Sequence, residues 1–270
     1  MQRILFLAAA LTVSAFVTPA IAFEPSDIYS AQVVVSGQGE TNRRTGFGTC
    51  LERVLTRATG DYRLADRPEV KAAVAKAEDF IAAYSYRDLL EGRPVHDEQG
   101  TYDRPHNLTC RFKAGPLERL IDSLGAHPWQ QRRPVVALLL DVERPTGRHV
   151  VAANNERDLA MRQSFGNASN LIALDVVFPP ATTALGLSDA AIADPASADA
   201  LAATEAAGGD LPLSGHLVWS DAEHGWVADW ALARDGKIER WQARGISFDE
   251  AFRIALRGTT RVLSGSGGPE

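Results

Sequence analysis

Few residues in this chain are of a type and placement that could do chemistry. Asp141 and Asp175 fall at or near the ends of expected inner strands, where α/β folds place their ligands. Together they could form a paired-carboxylate site, while the plainer alternative makes both aspartates solvated strand ends. Arg132 and Arg133 beside Trp129 offer a basic, aromatic recognition patch, or else a guanidinium stacked on an indole where Pro134 positions a strand. Trp219, Trp226, Trp230 and Trp241 crowd one stretch, with Trp226 and Trp230 as candidate contacts for a glycan or protein and core packing as the competing explanation.

No Gly-x-Ser-x-Gly, His-Glu-x-x-His or P-loop occurs, so no catalytic residue is assigned. Gly37-Gln-Gly39 reads as a turn, and Gly208-Gly209-Asp210 as a helix stop before a strand. Two cysteines and six histidines show no ligand spacing on a shared element, so neither a metal nor a cofactor is expected.

The first 22 residues combine Arg3, an apolar run from Ile4 to Val17 and small residues before Phe23. This pattern predicts a secretory signal peptide cleaved between Ala22 and Phe23, and a periplasmic protein with no membrane span after cleavage. The run is too short for the roughly 20 residues a bilayer demands. The formal charge is −6, and loss of Arg3 makes the mature chain one unit more negative. Lys and Arg are scattered and outnumbered, which argues against a nucleic-acid partner. Composition carries no sign of the oligomeric state. Export puts Cys50 and Cys110 in an oxidising compartment, where a disulfide is favoured over two buried thiols. Closing that loop would add about 4 kcal/mol in the chain-entropy model.

The elements that must position these groups form two α+β or α/β units. In residues 23–127, alternation at Ala31, Val33 and Val35 predicts a strand, and Phe47, Cys50, Leu51, Val54, Leu55 and Ala58 a helix capped at Gly60. A second helix from Pro68, two strands around Tyr84 and Cys110 joined by a long connection, and a helix ending at Gly125 complete the order β-α-α-β-β-α. In residues 128–263, Val135 to Leu140 is an unbroken apolar run bounded by Pro134 and Asp141, which predicts an inner strand covered on both faces. A polar surface loop from Glu143 to Asn155 follows. The rest of that unit reads α-β-α-β-β-β-α, giving a mixed sheet with a Trp-rich meander and a last helix opened by Ser247 and Glu250. Residues 264–270 are expected to be disordered.

Several short segments in order resemble the bacterial domain-of-unknown-function family DUF2066: Leu51 to Asp61, Tyr84-Ser-Tyr86, Pro128-Trp129 with Arg133-Pro134, Leu213-Ser-Gly215-His-Leu, and Gly225-Trp226 with Trp230. The resemblance spans roughly residues 28 to 262 and implies no activity or catalytic residues. Cys50 and Cys110 depart from it, standing where aliphatic residues are expected. The element order of the second unit is also similar to the N-terminal domain of the translocation protein TolB and to the curli-secretion protein CsgG, both envelope components. The functional expectation is a non-enzymatic module that binds an envelope protein partner. The alternatives are a glycan or small-molecule binder using the Trp-rich strands, and a hydrolase using Asp141, Asp175 or His216.

Overall fold

The computed structural model describes residues 28–92 and 104–269. The expected leader with its Ala22–Phe23 junction lies outside the described residues, as does most of the long connection ahead of Leu108.

The first unit runs β1 (Ser30–Ser36), α1 (Glu40–Thr59), α2 (Pro68–Val74), β2 (Ile81–Asp88), β3 (Pro105–Phe112) and α3 (Ala114–Ser123). β3 is central, antiparallel to β1 and to β2. The two-residue period of β1 turns Ala31, Val33 and Val35 onto one face. There they meet the stripe of Phe47, Cys50, Leu51, Val54 and Leu55 from α1. The helix lies so close that a Cβ on Gly46 would stand 2.5 Å from Leu108 and 2.9 Å from Val35, so only glycine fits. Each fully buried leucine or valine in this core contributes about 1.5–3 kcal/mol of transfer free energy. Cys50 on α1 and Cys110 on β3 lie at disulfide distance, their Cα atoms 6.3 Å apart.

The second unit follows as β4 (Val136–Arg144), β5 (Gly147–Val150), α4 (Leu159–Ile172), β6 (Val176–Val177), α5 (Ala181–Gly186), α6 (Asp189–Ala193), α7 (Ala198–Ala207), β7 (Leu211–Ser220), β8 (Gly225–Arg234), β9 (Lys237–Ile246) and α8 (Phe248–Ser264). The run expected as an inner strand is β4. β7 pairs with it in parallel along one edge, while β6 and β5 share the other. Val136, Leu138, Leu140 and Val142 face a core that α4 and α8 close with Phe165, Phe252 and Leu256. Leu139 faces the other way, against Ala200 and Ala203 of α7. The sheet is mixed, as expected, because β7, β8 and β9 form an antiparallel meander.

Three expectations fail here. The polar loop from Glu143 to Asn155 begins instead as a hairpin, in which Arg144 pairs with Gly147 around Pro145-Thr146. β5 is a short outer strand with exposed Gly147 and Arg148, so it carries no apolar alternation to betray it. The Ala-rich stretch ahead of α7 contains α5 and α6, each too short to show a helical period. The tail is packed rather than disordered through residue 269. Gly265 caps α8 in the left-handed region, Ser266 Oγ donates to the Thr59 carbonyl at 3.2 Å, and Pro269 is buried.

Candidate functional site

The basic, aromatic patch expected at Trp129, Arg132 and Arg133 is a joint between the two units. Trp129 is buried, and its N–H donates to the Ala58 carbonyl at 2.6 Å. Arg133 is 4% exposed, with its guanidinium 4.3 Å from the Trp129 ring centre. It donates to the carbonyls of Ile172 (2.6 Å) and Ala173 (3.0 Å) at the end of α4, and to that of Arg57 in the last turn of α1. One guanidinium thus donates to carbonyls at two helix ends, where the helix dipoles favour a cation. Burial, with the charge of Arg57 adding to it, lowers the Arg133 pKa to about 10. Arg132 alone stays exposed and lies 3.5 Å from Asp210. Asp210 in turn accepts the Val135 N–H at 2.7 Å and so anchors the start of β4.

Trp226 and Trp230 pack into the core. Both are buried, and Trp230 packs edge-on against Phe165 with ring centres 6.1 Å apart. Trp219, Trp226, Trp230 and Trp241 fall on the same face of the meander by register; α4 and α8 cover Trp226, Trp230 and Trp241 there, while Trp219 at the strand end stays exposed.

The functional geometry is on the opposite face. Asp141 of β4 is in register with His216 of β7, His216 with Asp229 of β8, and Asp229 with Gln242 of β9. Because strand side chains alternate, these four form one polar row across the sheet. Next to it runs a second row of Leu139, Ser214, Ala231 and Arg240. α6 overhangs the rows, and a cleft of about 900 Å³ lies between.

Asp141 is fully buried, so it is no solvated strand end. Its Oδ2 accepts from His216 Nδ1 at 2.6 Å and from Arg148 Nε at 2.7 Å, and Arg148 also pairs with Asp189 of α6. Burial alone would raise the Asp141 pKa, but the hydrogen bonds and charges of His216 and Arg148 outweigh it and hold the carboxyl below its ordinary range. The same hydrogen bond raises the His216 pKa against the opposing effect of burial. His216 Nε2 lies 3.8 Å from Glu143. Across the cleft, Gln242 Nε2 donates to Asp229 at 2.6 Å, and Arg240 to the Ala193 carbonyl at 3.0 Å.

A carboxylate that orients an imidazole is half of a hydrolytic apparatus. The neighbouring Ser214 hydroxyl is buried without a hydrogen-bond partner, so it is not activated by His216. Asp175 does not join the site either. It precedes β6, whose register with β4 puts it beside the start of that strand, six residues or about 20 Å from Asp141 at ~3.3 Å per residue. Among the described residues no three His, Cys, Asp or Glu side chains are grouped to hold a metal ion.

A second concavity, a groove of about 450 Å³, lies where the units meet. Its walls are α1, the turn of Tyr62–Asp66, α4 and α8, and its floor includes Leu171 (39% exposed), Ile172 and Leu256. Arg53, Arg253 and Arg257 line it. Arg253 and Arg257 share the single carboxylate of Glu250, and Arg53 bonds to the Gln32 carbonyl. The acids of the groove, Glu52 and Asp66, are both within reach of Lys71.

Residues 22–130 match the model of a family described as a domain of unknown function, DUF8605. No curated protein and no solved structure matches the chain. The matching family is a different one from DUF2066, so that expectation is overturned, and no solved structure supports the likeness to TolB and CsgG. Over the first unit and the chain as far as Gln130, this protein is similar to a domain whose function is not known.

Proposed function

We propose that this chain is exported to the periplasm and works as a non-enzymatic module that holds an envelope protein partner in the groove between its two units. The observation that carries the reading is the excess of positive charge around an apolar floor, on a chain whose formal charge is −6. Such a groove suits an acidic amphipathic helix, whose apolar side covers Leu171 while its carboxylates reach Arg53, Arg253 and Arg257. Export is supported by the leader pattern of residues 1–22 and by the two cysteines at disulfide distance. No helix among the described residues is long and apolar enough to cross a membrane.

The test is a photoreactive amino acid in place of Leu171, irradiated in living cells. A discrete protein adduct is expected, and it should vanish when Arg53→Glu and Arg253→Glu are combined. No adduct, or one indifferent to charge reversal, sinks the proposal. Recovery of a mature chain beginning at Phe23 from the periplasmic fraction checks the location.

A further inference from the structure

We infer that the cleft over β7, β8 and β9 is a binding site for a small, neutral, hydroxyl-rich ligand of the monosaccharide or polyol class. The inference is independent of the groove between the units, since it rests on the opposite face of the second sheet from α4 and α8.

One buried atom points to a ligand. Ser214 is 2% exposed, lines the cleft and has no hydrogen-bond partner for its hydroxyl. It shares its face of the sheet with His216, Asp229, Arg240 and Gln242, which line the same cleft. A buried polar atom without a partner is unfavourable, and a bound ligand that supplies the partner recovers the loss. The size of the cleft is within the range of ordinary small-molecule sites, about 300–1,000 Å³.

The class of ligand follows from the balance of charge. Arg148 and Arg240 line the cleft against Glu143, Asp189 and Asp229, so neither an anion nor a cation meets a large excess of opposite charge. Arg148 is paired with Asp141 and Asp189, Arg240 bonds to the Ala193 carbonyl, and Asp229 accepts from Gln242. A hydroxyl group suits such a lining: it donates to a free lone pair on Asp229 or Glu143 while accepting from Ser214 or from a remaining N–H of Arg240. Carboxylates and guanidinium groups together present both acceptors and donors at close spacing. Adjacent hydroxyls on a ring match that spacing.

The experiment is saturation-transfer NMR followed by calorimetry on the full mature chain. The probes are glucose, galactose, N-acetylglucosamine and inositol, with glucosamine and glucuronate as charged arms. At least one neutral probe should bind, with affinity reduced about tenfold in Ser214→Ala and in Asp229→Asn, the loss of one well-placed hydrogen bond each. Ser214→Ala removes an unpaired buried hydroxyl, so its melting temperature should be unchanged or higher, which separates lost binding from lost folding. Binding of the charged probes alone, binding that survives both substitutions, or no binding by any neutral probe overturns the inference.

Discussion

Asp141 and His216 stand opposite each other in the parallel register of β4 and β7, and their side chains meet at 2.6 Å. The contact couples folding to protons with a definite sign. The folded pKa of His216 is raised, so its contribution is fully present below the unfolded value of about 6.5 and is lost as pH rises through the folded value. Asp141 is shifted down, so its contribution is present above about 3.9 and is lost as pH falls through the lower folded value. Urea denaturation from pH 5.5 to 8.5 should show His216→Gln nearest to wild type at the alkaline end and less stable at the acidic end. The gap should be small, about 0.5 kcal/mol, because the imidazole is more than a third exposed. A gap that widens with pH contradicts the assignment. Comparing the two proteins removes the opposite effect of His149, whose pKa burial lowers.

Arg133→Ala should destabilise the chain by about 3 kcal/mol, as expected for breaking a buried charged network. It leaves the carbonyls of Arg57, Ile172 and Ala173 without their donor and Trp129 without its cation. Arg133→Lys should recover only part of this, since an ammonium cannot span two helix ends as a planar fork does. Chemical denaturation of the three proteins decides. Equal stability of Arg133→Ala and wild type would remove the joint from the account.

Thiol counting on denatured, unreduced protein should find neither Cys50 nor Cys110 reactive. Two reactive thiols would rule the bridge out. Replacing both by alanine should cost about 2–5 kcal/mol, the usual result of removing a native disulfide.

Gly215→Ala should cost about 1–3 kcal/mol or more, because its Cβ would collide with the ring of Trp230 and with Leu140. Thermal melting gives the comparison, with Gly236→Ala as a contrasting case: nothing lies near its Cβ, and its loss comes from a left-handed backbone alone.

Local pattern made much of the fold legible. The inner strand, the stripe of α1, the Gly60 cap, the three-strand meander and the Ser247 cap are all set by periodicity and turn chemistry within a few residues, and all are found. The choice of face was harder. The alternation of Trp226, Ala228, Trp230 and Leu232 with Val227, Asp229, Ala231 and Ala233 already puts the two tryptophans on the more apolar side. That signal pointed to core packing and away from glycan contact. The pairing of Asp141 with His216 had no local signal, since it depends on the β4 and β7 register across 75 residues of chain. Arg133 was read as a stack on Trp129 in one of two ways, but the helix ends that complete its surroundings come from both units. The likeness to DUF2066 rested on short segments that strands, caps and turns of many folds share.

β9 is the outermost strand of its sheet, and an outermost strand offers a row of amides and carbonyls to any extended chain that drifts past. Lys237, Arg240 and Arg244 are exposed along it. A second copy aligning itself there would bring cation against cation, so the strand carries its own fence against runaway stacking into fibrils.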